Sequence, residues 1–98
     1  MPRRKLYGTC KVGPYKVRIL LLPKEQSNKE HLFGYAASPD GVPEIALRVG
    51  MPTAARDETL LHEMLHVCSG VSGLGLTEKQ VGALSPLLYQ AISSLKVR

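Results

Sequence analysis

Residues 59–68 place two histidines and a glutamate in a stretch of chain that is otherwise uncharged and mostly apolar. On an α-helix, side chains four positions apart lie on one face, so His62 and His66 point the same way. Glu63 follows His62 at about 100° round the helix. A surface helix would carry more charge than this, and a buried carboxylate is costly without a partner. The segment therefore predicts a helix that presents two imidazoles and a carboxylate at one place.

This His-Glu-x-x-His pattern is typical of zinc-assisted hydrolysis. His62 and His66 are predicted to be zinc ligands, and Glu63 is predicted to be the general base that takes a proton from a metal-bound water. The alternative is a helix with two unrelated histidines, because so short a pattern also occurs by chance. The apolar flanks favour the metal, as does the placement of two of the three histidines at this spacing.

Chain length and charge set limits on the fold and on its partners. A chain of 98 residues predicts one domain, 1–98, with a small core that a bound metal would help to stabilise. The net charge of +5 would attract nucleic acid or an acidic partner. No aromatic-interleaved basic patch is present, so a solvated basic surface is favoured over nucleic-acid binding. No membrane-spanning run or signal-type apolar region is visible, so a cytoplasmic location is expected.

The two cysteines are too few for a disulfide framework and are interpreted as reduced thiols. Cys68 lies two residues beyond His66, about 200° round the helix. It therefore faces away from the histidines and is predicted to be a small core residue rather than a ligand.

The first half of the chain predicts strands. Residues 6–12 and 15–22 form the first two, and the second is apolar on both faces towards its end, which is typical of a central strand. Residues 32–37 and 44–49 are predicted to form a hairpin. Between them, residues 38–41 (Ser-Pro-Asp-Gly) fit a type I turn.

The motif helix is predicted to begin with Thr53 as its N-cap and to end at Gly70. A stripe at positions i, i+3, i+4 and i+7 is expected to face the core. Its members are Leu61, Met64, Leu65 and Cys68.

The second helix begins with a capping box, with Thr77 as N-cap and Gln80 at the third helical position. Pro86 predicts a kink, or a restart with Ser85 as cap. The predicted fold class is α+β: a small antiparallel or mixed sheet of three to four strands, followed by two helices, the first of which carries the His-Glu-x-x-His motif.

A catalytic zinc usually takes three protein ligands and a water, so a third ligand is needed. Glu78 is the best candidate, because it lies in the first turn of the second helix, beyond a glycine-rich loop that can reverse the chain. The alternative role for Glu78 is to complement the helix dipole. Three other candidates rank lower: His31, Asp40 and Glu58.

A hairpin, then residues 58–66 (ETLLHEMLH), a short loop and residues 76–81 (LTEKQV) together resemble the minimal zincin metallopeptidases. The chain looks closest to small metallopeptidases from phage and bacterial genomes, distantly similar to the ImmA/IrrE and SprT-like types. The resemblance covers residues 32 to about 95. For a phage-encoded protein, the expected location would be the host cytoplasm.

The resemblance implies that His62 and His66 bind zinc and that Glu63 is the general base. Glu78 matches the acidic third ligand of gluzincin-like members. The strand 44–49 would match the edge strand that pairs with an extended peptide or protein substrate.

The expected function is therefore zinc-dependent hydrolysis of peptide bonds. The alternative is a non-enzymatic zinc-stabilised module whose basic surface binds a protein or nucleic acid. A third interpretation is a metal-free interaction protein in which the motif is coincidental. Hydrolysis would also need a second oxyanion donor, and the candidates are Tyr35, His31, Tyr89 and Arg56.

Overall fold

The computed structural model of the protein describes residues 5–23 and 33–97. Within these residues the fold is α+β, as predicted, with a four-stranded mixed sheet followed by two helices. In chain order the elements are β1 (Lys5–Val12), β2 (Tyr15–Leu22), β3 (Gly34–Ala37), β4 (Glu44–Arg48), α1 (Thr53–Ser72) and α2 (Glu78–Ser94).

The strands lie in the order β1-β2-β4-β3. The outer pairs, β1 with β2 and β3 with β4, are antiparallel, whereas β2 and β4 are parallel. Side chains on both faces of β2 are buried, with Val17 and Ile19 on one face and Leu20 and Leu22 on the other. The prediction that this strand is central is therefore confirmed.

The hairpin of β3 and β4 is present, but its turn differs from the prediction. Gly41 donates a backbone hydrogen bond to the carbonyl of Ser38 at 3.1 Å. Asp40 has a φ of +54°, whereas a type I turn needs a negative φ at that position. The prediction of a type I turn is wrong, because aspartate tolerates the left-handed conformation that this connection adopts.

The prediction of an edge strand at residues 44–49 is also wrong. Strand Glu44–Arg48 lies inside the sheet, between β2 and β3, and the edge next to it is β3. Glu44 is buried, and its carboxylate binds Arg18 at 2.7 Å. The ion pair across the parallel strands accommodates the charge inside the sheet.

Helix α1 packs on one face of the sheet. Val67 joins the buried cluster there, and further apolar side chains of α1 pack against it: Leu60, Met64 and Val71. Of the predicted core stripe, Met64 is confirmed, whereas Cys68 is exposed. The prediction failed because apolar residues occupy two neighbouring stripes of this helix, and periodicity alone does not choose between them.

The ends of α1 also differ from the predictions. Pro52 occupies the N-cap position and Thr53 is the first helical residue, with no side-chain cap. The helix continues past Gly70 to Ser72, and Gly73 takes the left-handed C-cap with a φ of 75°.

Helix α2 begins with the predicted capping box. The Thr77 hydroxyl accepts from the Gln80 amide at 3.1 Å, and the Gln80 side chain accepts from the Thr77 amide at 2.8 Å. The helix runs through Pro86 to Ser94, so no restart occurs at Ser85. Neither helix of the described residues has the length and apolar character needed to cross a membrane.

Candidate metal site

The two histidines of α1 point their Nε2 atoms at the same carboxylate. Glu78 Oε1 lies 2.8 Å from His62 Nε2, and Glu78 Oε2 lies 2.6 Å from His66 Nε2. The ring centroids are 5.0 Å apart and the rings are inclined at 65°. The structure thus places Glu78 where the sequence predicted it, against both imidazoles, whereas its role as a ligand stays a prediction.

The connection between the helices brings Glu78 to this position. The Leu74 amide donates to the carbonyl of Ser69 at 3.1 Å, and the Leu76 amide donates to the Ser69 hydroxyl at 2.7 Å. Gly73 and Gly75 both have positive φ, which glycine adopts more readily than any other residue. The chain therefore reverses within a few residues, and the capping box then starts α2 at Glu78.

Glu63 is the buried acid of the site, with 8% of its surface exposed. Burial raises the pKa of its carboxyl above the ordinary value, and the nearby His62 and His66 offset only part of this effect. One ligand atom from each of these three residues lies within 4.8 Å of the others. Glu63 therefore shares the site with both imidazoles.

Glu78 is the exposed acid of the site, with 74% of its side-chain surface open. Desolvation alone would raise the pKa of its carboxyl, but the hydrogen bonds with His66 and His62 outweigh it and hold the pKa below the ordinary value. An ionised carboxylate only accepts hydrogen bonds, so in the metal-free protein each ring donates from Nε2. The two acids therefore differ in environment, and the differences favour different roles.

The donor set fits a divalent cation of the zinc type. Neutral imidazole nitrogens and carboxylate oxygens are ordinary zinc ligands. His62, His66 and one or both of the acids, Glu63 and Glu78, could hold such an ion. If one acid binds it, a position stays open for water, whereas if both bind it the site is closed by four protein ligands.

Two clefts meet at this cluster, between β3 and α1. One has a volume of about 680 Å³ and extends towards Tyr15 and Val71. The other, of about 490 Å³, extends towards Phe33 and Glu58. Four residues line both: Gly34, His62, Glu63 and Glu78. The cluster therefore lies partway along one groove that continues on both sides of it.

The remaining predicted site residues lie further from the cluster or outside the described chain. Glu58 lines the groove, and Asp40 lies in a separate cleft beside Glu44. Of the oxyanion candidates, Tyr35 lines the groove. Arg56 instead contacts Asp57, with its Nε 3.3 Å from the carboxylate. Tyr89 does not line either cleft among the described residues, and His31 lies outside those residues.

Two residues of this region were not predicted from the sequence. Tyr15 lines the groove at its far end, and nothing in the local sequence marks it. Ser85 contacts His62, with its hydroxyl oxygen 3.3 Å from Nδ1. The signal for Ser85 was its spacing, because residues 78 and 85 are two turns apart on one face of α2.

Comparison with known proteins identifies no family for this chain. No protein-family model matches the chain, and no curated protein or solved structure matches it either. The chemistry of the site is therefore argued from its own residues.

Gly34 lies where the edge strand passes tightly between β4 and α1. A Cβ at this position would lie 2.7 Å from the carbonyl oxygen of Ala46 and 3.0 Å from the Thr59 methyl. The Ala46 oxygen belongs to β4 and cannot move without distorting the sheet. Gly34→Ala should therefore lower the free energy of unfolding by about 1–3 kcal/mol, measured by urea denaturation.

Gly82→Ala is the control for that change, because a Cβ there meets no atom within 4 Å. On helical propensity alone it should raise the free energy of unfolding by up to about 1 kcal/mol. Equal effects of the two substitutions would contradict the tight approach of β3 to its neighbours.

Proposed function

We propose that the protein is a zinc-dependent metallopeptidase that hydrolyses peptide bonds. One observation carries the proposal: two imidazole Nε2 atoms converge on the exposed carboxylate of Glu78, with the buried carboxylate of Glu63 beside them. These are the parts that metal-assisted hydrolysis requires, namely nitrogen and oxygen ligands and an adjacent base.

His62, His66 and Glu78 would hold the ion. The oxygens of Glu78 already lie within 2.6–2.8 Å of both ring nitrogens, and its low pKa keeps it ionised, as a ligand must be. When bound, zinc lowers the pKa of water towards ~7 and polarises a carbonyl group. The chain supplies the ligands and, separately, the base.

Glu63 would take the proton of the attacking water. Its burial beside the histidines raises the pKa of its carboxyl towards the range that suits a general base. Tyr35 is not assigned as the donor to the oxyanion, because Gly34 and Ala36 face α1 and strand alternation turns the Tyr35 side chain to the other face of the sheet.

An extended peptide would bind along β3 rather than along the strand that the sequence indicated. Among the described residues β3 pairs only with β4, so its other edge faces the groove. The Arg48 amide donates to the Phe33 carbonyl, so alternate residues of β3 turn their backbone groups towards β4 and those between them turn outwards. Backbone groups of Gly34 and Ala36 would therefore pair with the peptide by β-augmentation. Because the groove continues on both sides of the cluster, it suits cleavage within a chain rather than at its end.

A second candidate function is a non-enzymatic zinc-stabilised module. The observation that favours it is the position of Glu63, whose ligand atom lies within 4.8 Å of those of His62 and His66. If Glu63 and Glu78 both bound the ion, the site would have four protein ligands and no open position. The metal would then stabilise a small fold without catalysing hydrolysis.

The proposal is tested on untagged protein by elemental analysis and by peptide hydrolysis. We expect zinc in a stoichiometric amount, and cleavage of a mixture of unstructured peptides that 1,10-phenanthroline abolishes and added zinc restores. Stoichiometric zinc without cleavage would favour the non-enzymatic module. Protein that takes up no zinc, even when the metal is added, would overturn both functions.

A further inference from the structure

Ser85 is a buried polar residue that contacts the His62 ring on the side away from Glu78. Its relative exposure is 2%, and its hydroxyl oxygen lies 3.3 Å from Nδ1 of His62, the nitrogen that faces away from Glu78. It is one of two buried residues of α2, and the other is Val81. The contact therefore sits where α2 docks on α1.

The ring of His62 is held at both of its nitrogens. Nε2 contacts Glu78 at 2.8 Å and Nδ1 contacts Ser85 at 3.3 Å. His66 differs, because among residues 5–23 and 33–97 its ring has a hydrogen bond only at Nε2, to Glu78. Among the described residues, the rotation of the His62 ring is therefore restricted by a hydrogen bond at its second nitrogen, whereas that of the His66 ring is not.

A hydroxyl suits this position because it both donates and accepts. In the metal-free protein, Nε2–H of His62 donates to Glu78, so Nδ1 of a neutral ring accepts from Ser85. For Nε2 to bind a cation, the ring must carry its proton on Nδ1 instead. The Ser85 oxygen then accepts that hydrogen bond. Rotation of the Ser85 hydroxyl thus keeps the hydrogen bond with Nδ1 in both the metal-free and the metal-bound protein, and the ring need not move.

We infer that Ser85 is a positioning residue, which fixes the orientation and tautomer of His62 for metal binding. Helix α2 would then contribute both a ligand, Glu78, and the partner that orients a ligand of α1. Residues 78, 81 and 85 lie on one face of α2. The face of α2 that packs against α1 therefore also carries the two residues that contact His62. The inference rests on the metal site of the proposed function and is independent of peptide hydrolysis.

Ser69 offers a matched control. It is a buried serine with 6% exposure, and its hydroxyl accepts from the Leu76 amide at 2.7 Å. It supports the connection between the helices and has no contact with an imidazole ring among the hydrogen bonds of the described chain. Ser69→Ala therefore removes a buried hydroxyl that supports the position of Glu78 but does not contact His62, so it should leave the His62 Nδ1 resonance of the metal-free protein unchanged.

The experiment compares wild type, Ser85→Ala and Ser69→Ala in two measurements. Zinc affinity is measured by competition with a chromophoric chelator, and the ring nitrogens of both histidines are observed by ¹⁵N NMR with and without zinc. Ser85→Ala should weaken zinc binding by about tenfold or more, as loss of an outer-sphere partner does. The His62 Nδ1 resonance should shift in the metal-free variant, while that of His66 should not.

In zinc-loaded wild type and Ser69→Ala, the Nδ1 proton of His62 should exchange slowly with water, and in Ser85→Ala this protection should be lost. The inference is overturned if the His62 resonances and zinc affinity of Ser85→Ala match wild type, or if Ser69→Ala changes both equally. Should wild type bind no zinc, the proposed function fails, whereas the His62 Nδ1 shift of metal-free Ser85→Ala still decides whether Ser85 holds the ring.

Discussion

Replacing Glu63 with glutamine should abolish hydrolysis while zinc remains bound. Glutamine has nearly the same shape as glutamate but cannot accept a proton from the attacking water. Loss of a general base lowers turnover by about 10²- to 10⁴-fold. Zinc affinity should be retained, since His62, His66 and Glu78 are unchanged. The two quantities are measured on the same preparation, by peptide cleavage and by chelator competition.

Measuring the stability of Glu63→Gln tests whether unfolding, rather than loss of the base, causes a loss of activity. Because burial raises the pKa of Glu63 above its ordinary value of 4.5, the folded chain holds this proton to a higher pH than the unfolded chain does. The stability that this protonation contributes is present below pH 4.5 and is lost as the pH rises through the folded-state pKa. Glutamine is neutral throughout, so the metal-free variant should be at least as stable as wild type at neutral pH.

Asp57→Asn is the control, because it also removes one negative charge from α1. Asp57 binds Arg56 at 3.3 Å and does not line either cleft of the site. It should leave cleavage unchanged. If Glu63→Gln instead loses zinc, then Glu63 is a ligand and the non-enzymatic module is favoured. Full activity in Glu63→Gln would remove Glu63 as the base.

The parts of the fold and site that the sequence predicted are those fixed by local rules. A capping box joins residues only three positions apart, so Thr77 and Gln80 located the start of α2 and hence Glu78. The spacing of His62 and His66 fixed their common direction in the same way. Both features depend on helix geometry and little on the rest of the molecule.

The parts that were missed depend on contacts between distant segments. Strand β4 is interior because it pairs in parallel with β2, and the charge of Glu44 is accommodated by Arg18, 26 positions away. The buried stripe of α1 is set by how the helix rolls on the sheet, so Cys68 could not be placed from periodicity. Ser85 was considered only as the cap of a helix restart, the alternative to a kink at Pro86, because its partner, His62, lies 23 positions away on another helix.

Glu78→Gln should weaken zinc binding far more than loss of an outer-sphere partner would, and thus by more than about 10- to 100-fold. The substitution removes the negative charge and the anionic oxygens that face both Nε2 atoms at 2.6–2.8 Å. Glutamine is not an ordinary zinc ligand. Cleavage at limiting zinc should fall in parallel, and chelator competition measures the affinity directly.

The alternative role of Glu78 is to complement the positive end of the α2 dipole, and Glu78→Gln combined with Lys79→Glu separates the two roles. The double variant restores a carboxylate in the first turn of α2, but about 100° further round the helix, where it faces away from the imidazoles. A dipole contribution is about 0.3–1 kcal/mol, so the second substitution should recover helix stability in full. Zinc affinity should stay as low as in Glu78→Gln alone. If affinity instead returned with the charge, Glu78 would act through the helix, and the ion would need its third ligand from Glu63.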